Sequence, residues 1–372
     1  MTAAHDAVGC PVCGCACDDL RVTTAGGRVV AAARACRLAE PWFLAQAGGQ
    51  PPEAWVGDTP VTVAEAVAAA ADLLRVARRP VVLGLGRSLA GQRTAIALAD
   101  RLGAVIDPGG DPAHVVAVQQ VGESTCTLGE VRQRADLVLF WNCDPDATHP
   151  RLRERSIPPT ADVVPVRGGW EDLWALRQRV AGLGGPAEWQ RLADRMKACR
   201  FGVVFFDDSL ATGPAPHKPV ESLLQLVTDL NRHTRFYALR LTADTSGAEA
   251  VLTWQTGYPL GVDFARGYPR HQPGETTARD LLARGEADVC LLLGDGPAPA
   301  GVPVIAICPS GAAVPGAAVR ITTAVPGVHI AGVARRLDGV TIPLRPLLPT
   351  GRPDAGVVLE AIRAALGVSG CS

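Results

Sequence analysis

The chain is short of aromatic residues, of net charge and of long apolar runs. Aromatics make up only 5% of its 372 residues, so Ala, Val and Leu must fill the core that a 48% apolar composition makes available. That length suits two or three domains of ordinary size. The formal net charge of −1 gives no electrostatic reason to expect nucleic acid or an anionic membrane as a partner. No apolar run reaches the roughly 18 uncharged residues that a membrane span requires, so none is predicted. In the first ten residues no basic region precedes an apolar one, and no signal peptide is expected. These absences point to a reducing cytoplasm. There, closely spaced cysteines bind metal more often than they form disulfides.

Cysteine is what the sequence does have near its start. Cys10, Cys13, Cys17 and Cys36 form a C-x2-C-x3-C run with a distant fourth thiol, and Cys15 lies between them. Four thiolates are the usual ligand set of a [4Fe–4S] cluster. Tetrahedral zinc accepts the same donors, and an empty site is the third alternative. Cys199, Cys290 and Cys308 sit in apolar stretches and read as small buried hydrophobes.

The remainder alternates between two periods. Residues 63–76 have the repeat of an Ala-rich helix, with Thr62 and Glu65 as a capping box. Residues 80–86 read as a buried strand ending in glycines, 91–102 as a helix and 104–107 as a strand. Strands at 136–141, 162–166, 201–206, 236–241, 288–293 and 302–307 continue the scheme, with helices at 170–180, 187–198, 219–232 and 355–366. This is the pattern of an α/β protein with parallel sheets flanked by helices. The text 135–145 echoes 287–297: each is a buried strand opening into an acidic, Pro-containing loop. Two such units could turn the C-terminal ends of their sheets toward one shared crevice, where α/β folds bind ligands. A common strand entry is the plainer alternative. The expected division is a Cys-rich lobe over 1–50, an α/β core over 51–165 and 285–350, an inserted α/β domain over 166–284, and a C-terminal helix over 351–372. Segment 310–355, rich in Pro and Gly, is expected to wrap the surface. The lone Gly84-Leu85-Gly86 is weak evidence for a nucleotide-binding turn.

Several motifs, in order, resemble the B subunit of formylmethanofuran dehydrogenase, a relative of the molybdopterin-containing formate dehydrogenases. They are Cys10–Asp19, Ala35-Cys36-Arg37, Ser124–Val131, His149-Pro150-Arg151, Leu252–Pro259, Asp263-Phe264 and Pro269–Thr276. The resemblance spans nearly the whole chain. It implies a multi-domain molybdopterin oxidoreductase-like fold, work on formate or its CO2 equivalent, and a place among other subunits of a complex. It implies His114 and Arg270 as formate-site residues, since a guanidinium can hold a carboxylate through two parallel hydrogen bonds. Arg270 could instead pair with an acid such as Asp263 or Glu275. Asp144 and Asp295 stand where they would either grip the guanines of two pterin dinucleotides or cap the helices that follow. His149 and Arg151 would dock their own loop.

One departure from the family pattern governs the functional expectation. Family members place a metal-binding Cys directly before the His, and here that position is Ala113. A methyl group has no lone pair and cannot replace a soft thiolate ligand. Asp111 offers only a hard oxygen nearby. The resemblance then implies the B subunit of a bacterial formyltransferase/hydrolase complex, in tetrahydromethanopterin-linked formaldehyde oxidation, as a redox-inactive scaffold without a tungsten or molybdenum pterin. The alternative is a working tungsten or molybdenum formylmethanofuran dehydrogenase subunit interconverting CO2 and formate.

Overall fold

The computed structural model describes residues 2–110, 112–294, 296–309, 314 and 316–367. The few phenylalanines are spent on the interior. All seven, at 43, 140, 201, 205, 206, 236 and 264, are buried. Five of them serve the sheet built from the strands Arg235–Arg240, Phe201–Phe206, Leu137–Trp141 and Asp162–Val166, in that spatial order and all parallel. Phe140 stacks on Phe205 at 5.3 Å, and fully buried Trp141 satisfies its indole N–H on Gly168 O at 2.9 Å. Small residues do the same work in the second unit. Ala66, Ala70 and Ala71 are buried on the helix Val63–Val76, whose predicted capping box between Thr62 and Glu65 is present.

That second unit is a nine-stranded sheet among the described residues. Its five central strands, Val105–Asp107, Pro80–Leu83, Val289–Leu293, Val304–Cys308 and Val319–Thr322, run parallel. Antiparallel pairs close both edges: Val262–Asp263 with Arg270–His271 on one side, and Ala54–Val56 with Thr59–Val61 on the other. Central strands buried on both faces read as unbroken apolar runs, which is why 289–293 and 304–308 were legible. A three-stranded antiparallel sheet of Thr2–Val8, Leu20–Ala25 and Arg28–Ala33 carries the N-terminal cysteines, and its hairpin turns at Gly26 and Gly27 with positive φ.

Sheet membership cuts the chain differently from the expected boundaries at 165/166 and 284/285. Strands 137–141 and 162–166 pair with 201–206 and 235–240 rather than with the larger sheet, and 262–263 and 270–271 return to the larger sheet. The two echoed strands therefore belong to different sheets. The expectation for 310–355 also changes. Val319–Thr322 is an interior strand, with Val319 and Ile321 buried, and Gly332–Arg335 pairs with Thr341–Leu344 as a hairpin. A four-residue strand among Pro and Gly is too short to show a period. No helix among the described residues is long and apolar enough to cross a membrane.

Candidate functional site

The C-terminal ends of both parallel sheets face one cavity of about 1630 Å³. From the larger sheet come Leu83–Arg87, Pro108–Gly110, Gly294 and Pro309; from the smaller come Asp208, Arg240, Thr242 and Asp244. A shared crevice was anticipated from the internal echo, but among the described residues only the second echoed loop lines it, and the smaller sheet reaches it through the ends of Phe201–Phe206 and Arg235–Arg240 rather than through the acidic loop after Leu137–Trp141. The chain passes tightly here. Gly84 has φ +74°, and a Cβ on it would lie 2.3 Å from Leu293 O. A Cβ on Gly14 would lie 2.1 Å from Thr242 O, so the cysteine loop is pressed against the cavity wall. Pro11 and Val12, between Cys10 and Cys13, line the cavity themselves. Fully buried Thr245 fixes them by donating to Pro11 O at 2.7 Å, and it is also bonded by Arg87.

His114, on the helix Pro112–Val121, lines the cavity with Nε2 at 3.7 Å from Glu123 Oε1 and its ring beside Phe206. Glu249 lies in the same wall. Burial pushes its carboxyl above the usual carboxylate range, against the pull of Arg240 and His114 and with the help of Asp244. Arg240 donates to Asp208 Oδ1 at 2.7 Å. Glu249, Asp208 and Arg240 were not singled out from the sequence. Signals were present: Glu249 is an acid in the first turn of an otherwise apolar run, Ala248–Leu252. Asp208 follows an all-apolar strand, as Asp144 does.

Arg270 is not part of this lining. It donates to Asp263 Oδ2 at 2.5 Å, while Arg79 grips both oxygens of the same carboxylate at 3.0 and 3.1 Å. Asp263 is completely buried. The structure thus places His114 in the cavity and Arg270 in an ion triad, and does not bring the two together. Asp144 caps the short helix Pro145–Thr148, accepting from Asp146 N at 3.0 Å and Ala147 N at 3.4 Å. Asp295 and Asp111 lie outside the described residues. His149 bonds Thr242 O at 2.9 Å and Arg151 bonds Asp19, so both dock their loop as expected. Ala113 is buried, and no cysteine is among the described residues lining the cavity. The residues present therefore do not supply the thiolate that a tungsten or molybdenum pterin centre takes from its protein.

The N-terminal thiols do gather. Cys10, Cys13, Cys15 and Cys17 are buried and Cys36 is half-buried. Cys10 N–H donates to Cys17 O at 2.7 Å, closing the loop on itself. Burial pushes the Cys10 thiol up to about 12, with Cys17, Cys13 and Cys36 adding to the rise, so the four share one pocket. Cys15 hydrogen-bonds Cys13, which brings Cys13 down to about 7 and pushes Cys15 up. Among the described residues no three His, Cys, Asp or Glu side chains are arranged to hold a metal ion. Thiolates on one zinc ion at about 2.3 Å would stand only about 3.8 Å apart. The thiols of Cys10, Cys13 and Cys17, buried, and of Cys36, half-buried, are soft donors of the kind that an iron–sulfur cluster takes.

No protein-family model matches the chain. It is 32% identical to the B subunit of tungsten-containing formylmethanofuran dehydrogenase 2 of Methanocaldococcus jannaschii, over 94% of both chains. It is 33% identical to the B subunit of the formyltransferase/hydrolase complex of Methylorubrum extorquens, over 75% of this chain and 87% of that one. The X-ray structure of that complex with methylofuran contains a chain of similar fold, at TM-score 0.75 and 31% identity, covering 85% of this chain and 100% of that chain. Similarity over this length at this identity places the chain in the family of the B subunits of formylmethanofuran dehydrogenase and of the formyltransferase/hydrolase complex.

Proposed function

We propose that this chain is the B subunit of a formyltransferase/hydrolase complex in the cytoplasm. There it serves tetrahydromethanopterin-linked formaldehyde oxidation as a redox-inactive scaffold beside the subunits that do the chemistry. The observation that carries the reading is at the cavity wall: buried Ala113, next to the lining residue His114, stands where the resemblance puts the metal's thiolate, and no described lining residue is a cysteine. A protein thiolate anchors and tunes a redox transition metal, and the methyl of Ala113 can do neither. With Arg270 tied to Asp263, the titratable groups lining the cavity include His114, Glu123 and Glu249 beside Asp208 and Asp244, and the cavity leaves room for a small molecule in transit. Cys10, Cys13, Cys17 and Cys36 would hold a [4Fe–4S] cluster. Such a cluster supplies one-electron storage where it has a redox partner, and here it cross-links a small N-terminal sheet.

The test is a metal count on the complex purified with its partner subunits. The expected result is iron without stoichiometric tungsten or molybdenum, and no formate-dependent viologen reduction. Stoichiometric heavy metal together with that reduction would establish the second reading, an active dehydrogenase subunit. Two observations favour that alternative: a cavity of about 1630 Å³ rimmed by glycine turns, and the tungsten-containing relatives.

A further inference from the structure

All seven phenylalanines are buried, whereas Trp254, Tyr258 and Tyr268 leave 68%, 36% and 54% of their surface exposed. Trp254 and Tyr258 belong to the stretch Leu252–Pro259, one of those that carry the family resemblance. Its Thr253, Gly257 and Pro259 line the cavity, and these two rings do not. Tyr258 instead stacks on His271 at 5.3 Å, which ties the stretch to the edge pair Val262–Asp263 and Arg270–His271. Tyr268 sits in the turn of that pair. Arg93, from the helix Leu89–Leu102, lies over the Trp254 ring with 5.7 Å to its centre, a cation–π contact that settles both side chains. One surface, made of a helix end and an edge hairpin, therefore presents aromatic rings that the core did not claim.

The surface also has a sign. Between Thr253 and Gly274 the only acid is Asp263, and it is buried against Arg79 and Arg270. The fully exposed charge in that stretch is Arg266, and Arg93 adds a second beside Trp254. Trp, Tyr and Arg are the residue types that carry most of the binding energy at protein interfaces. A second copy of this chain, seated on the same face about a two-fold axis, would set Arg93 and Arg266 against their like. A partner bearing carboxylates would pair with both and would accept from the indole N–H and the phenol O–H groups. The related chains are themselves subunits of complexes.

We propose that Trp254, Tyr258 and Tyr268, with Arg93 and Arg266, form the docking face for a companion subunit that presents carboxylates. This rests on the reading of the chain as a subunit of a complex, and not on the state of its redox site. The first experiment uses the intact complex carrying Tyr258→p-benzoylphenylalanine, irradiated and mapped by mass spectrometry. The expected cross-link joins position 258 to an acid-rich segment of a companion subunit. The second measures association of the full chain with that purified subunit by surface plasmon resonance. Trp254→Ala should keep the wild-type melting temperature, because its ring is mostly exposed, and should weaken association at least about thirtyfold, the factor for an interface hot spot. Wild-type association should weaken as salt rises. Arg93→Gln combined with Arg266→Gln should flatten that dependence, and Arg93→Lys should keep it. If Trp254→Ala melts early, the two exposed arginines carry the test. A cross-link to a second copy of the chain would overturn the proposal, and so would binding to phosphatidylserine vesicles with no cross-link to protein. Wild-type affinity in a folded Trp254→Ala would overturn it and leave the subunit reading standing. Failure of the wild-type chain to associate with any companion subunit would overturn that reading as well.

Discussion

Asp263→Asn removes one negative charge from between two guanidiniums while keeping the side-chain shape. The carboxylate is fully buried and accepts four hydrogen bonds: two from Arg79, one from Arg270 at 2.5 Å and one from Ala265 N at 2.9 Å. Breaking a buried pair by removing one partner costs about 3–5 kcal/mol. The low end, about 3 kcal/mol, applies here because Arg79 and Arg270 keep 25% and 23% of their side-chain exposure and water screens part of the loss. Burial would raise the Asp263 carboxyl, but the donors from Arg79, Ala265 and Arg270 outweigh it and hold the group below the usual carboxylate range. A depressed folded-state value gives stability that is present above the unfolded value of about 3.9 and is lost as pH falls through the folded one. Urea unfolding of wild type and variant should therefore show a constant gap from about pH 8 to about pH 5. Below about pH 4 the gap should close, because the wild type then loses the charge that the variant never had. A gap under about 1 kcal/mol at neutral pH, or one unchanged in acid, would refute the triad as a structural anchor. Arg270 would then be available for a ligand.

Glu249→Gln should show the opposite pH dependence. Its folded-state value is raised, so the wild type loses stability as pH climbs from about 4.3 through the folded value. Thermal melts should find the variant equal to wild type in acid and more stable at neutral pH. Gly84→Ala should cost at least about 2 kcal/mol, read as a lowered melting temperature, because φ +74° and Leu293 O both oppose a Cβ there. Ala113→Cys, assembled in the complex and assayed by elemental analysis, should take up no stoichiometric tungsten or molybdenum, since one thiol does not rebuild the surrounding loop.

The sequence revealed most where a single physical signal dominated. The strand 201–206 and the helix 170–180 were bounded correctly because an unbroken apolar run and an amphipathic repeat mark them, and 162–166 was bounded correctly although only its Val166 is buried. A crevice shared by two sheets was expected from the repeated strand-to-acid pattern, although the acidic loop after Leu137–Trp141 takes no part in the described lining. Strand partnership was not legible, because nothing local tells 137–141 which sheet it joins. The helices Pro112–Val121 and Ala248–Thr256 were hidden by flanking glycines and mixed composition. For Arg270 the resemblance suggested a formate-site residue, and the alternative stated beside it, a pair with Asp263, is the one found. Arg151 found its partner in Asp19, far upstream in the chain, a contact that no spacing predicts.

The order of strands has a consequence during synthesis. Pro80–Leu83 lies at the centre of the larger sheet, yet its neighbour Val289–Leu293 is made more than two hundred residues later. At ribosomal rates of about 5–20 residues per second, that apolar segment waits roughly 10–40 s for one of its two parallel partners. The smaller sheet, drawn entirely from one contiguous stretch between Leu137 and Arg240, can close in the meantime. The nascent polypeptide thus carries an unfinished edge on either side of a completed one, and it is this edge that a chaperone, or an early-arriving companion subunit, would have to shelter.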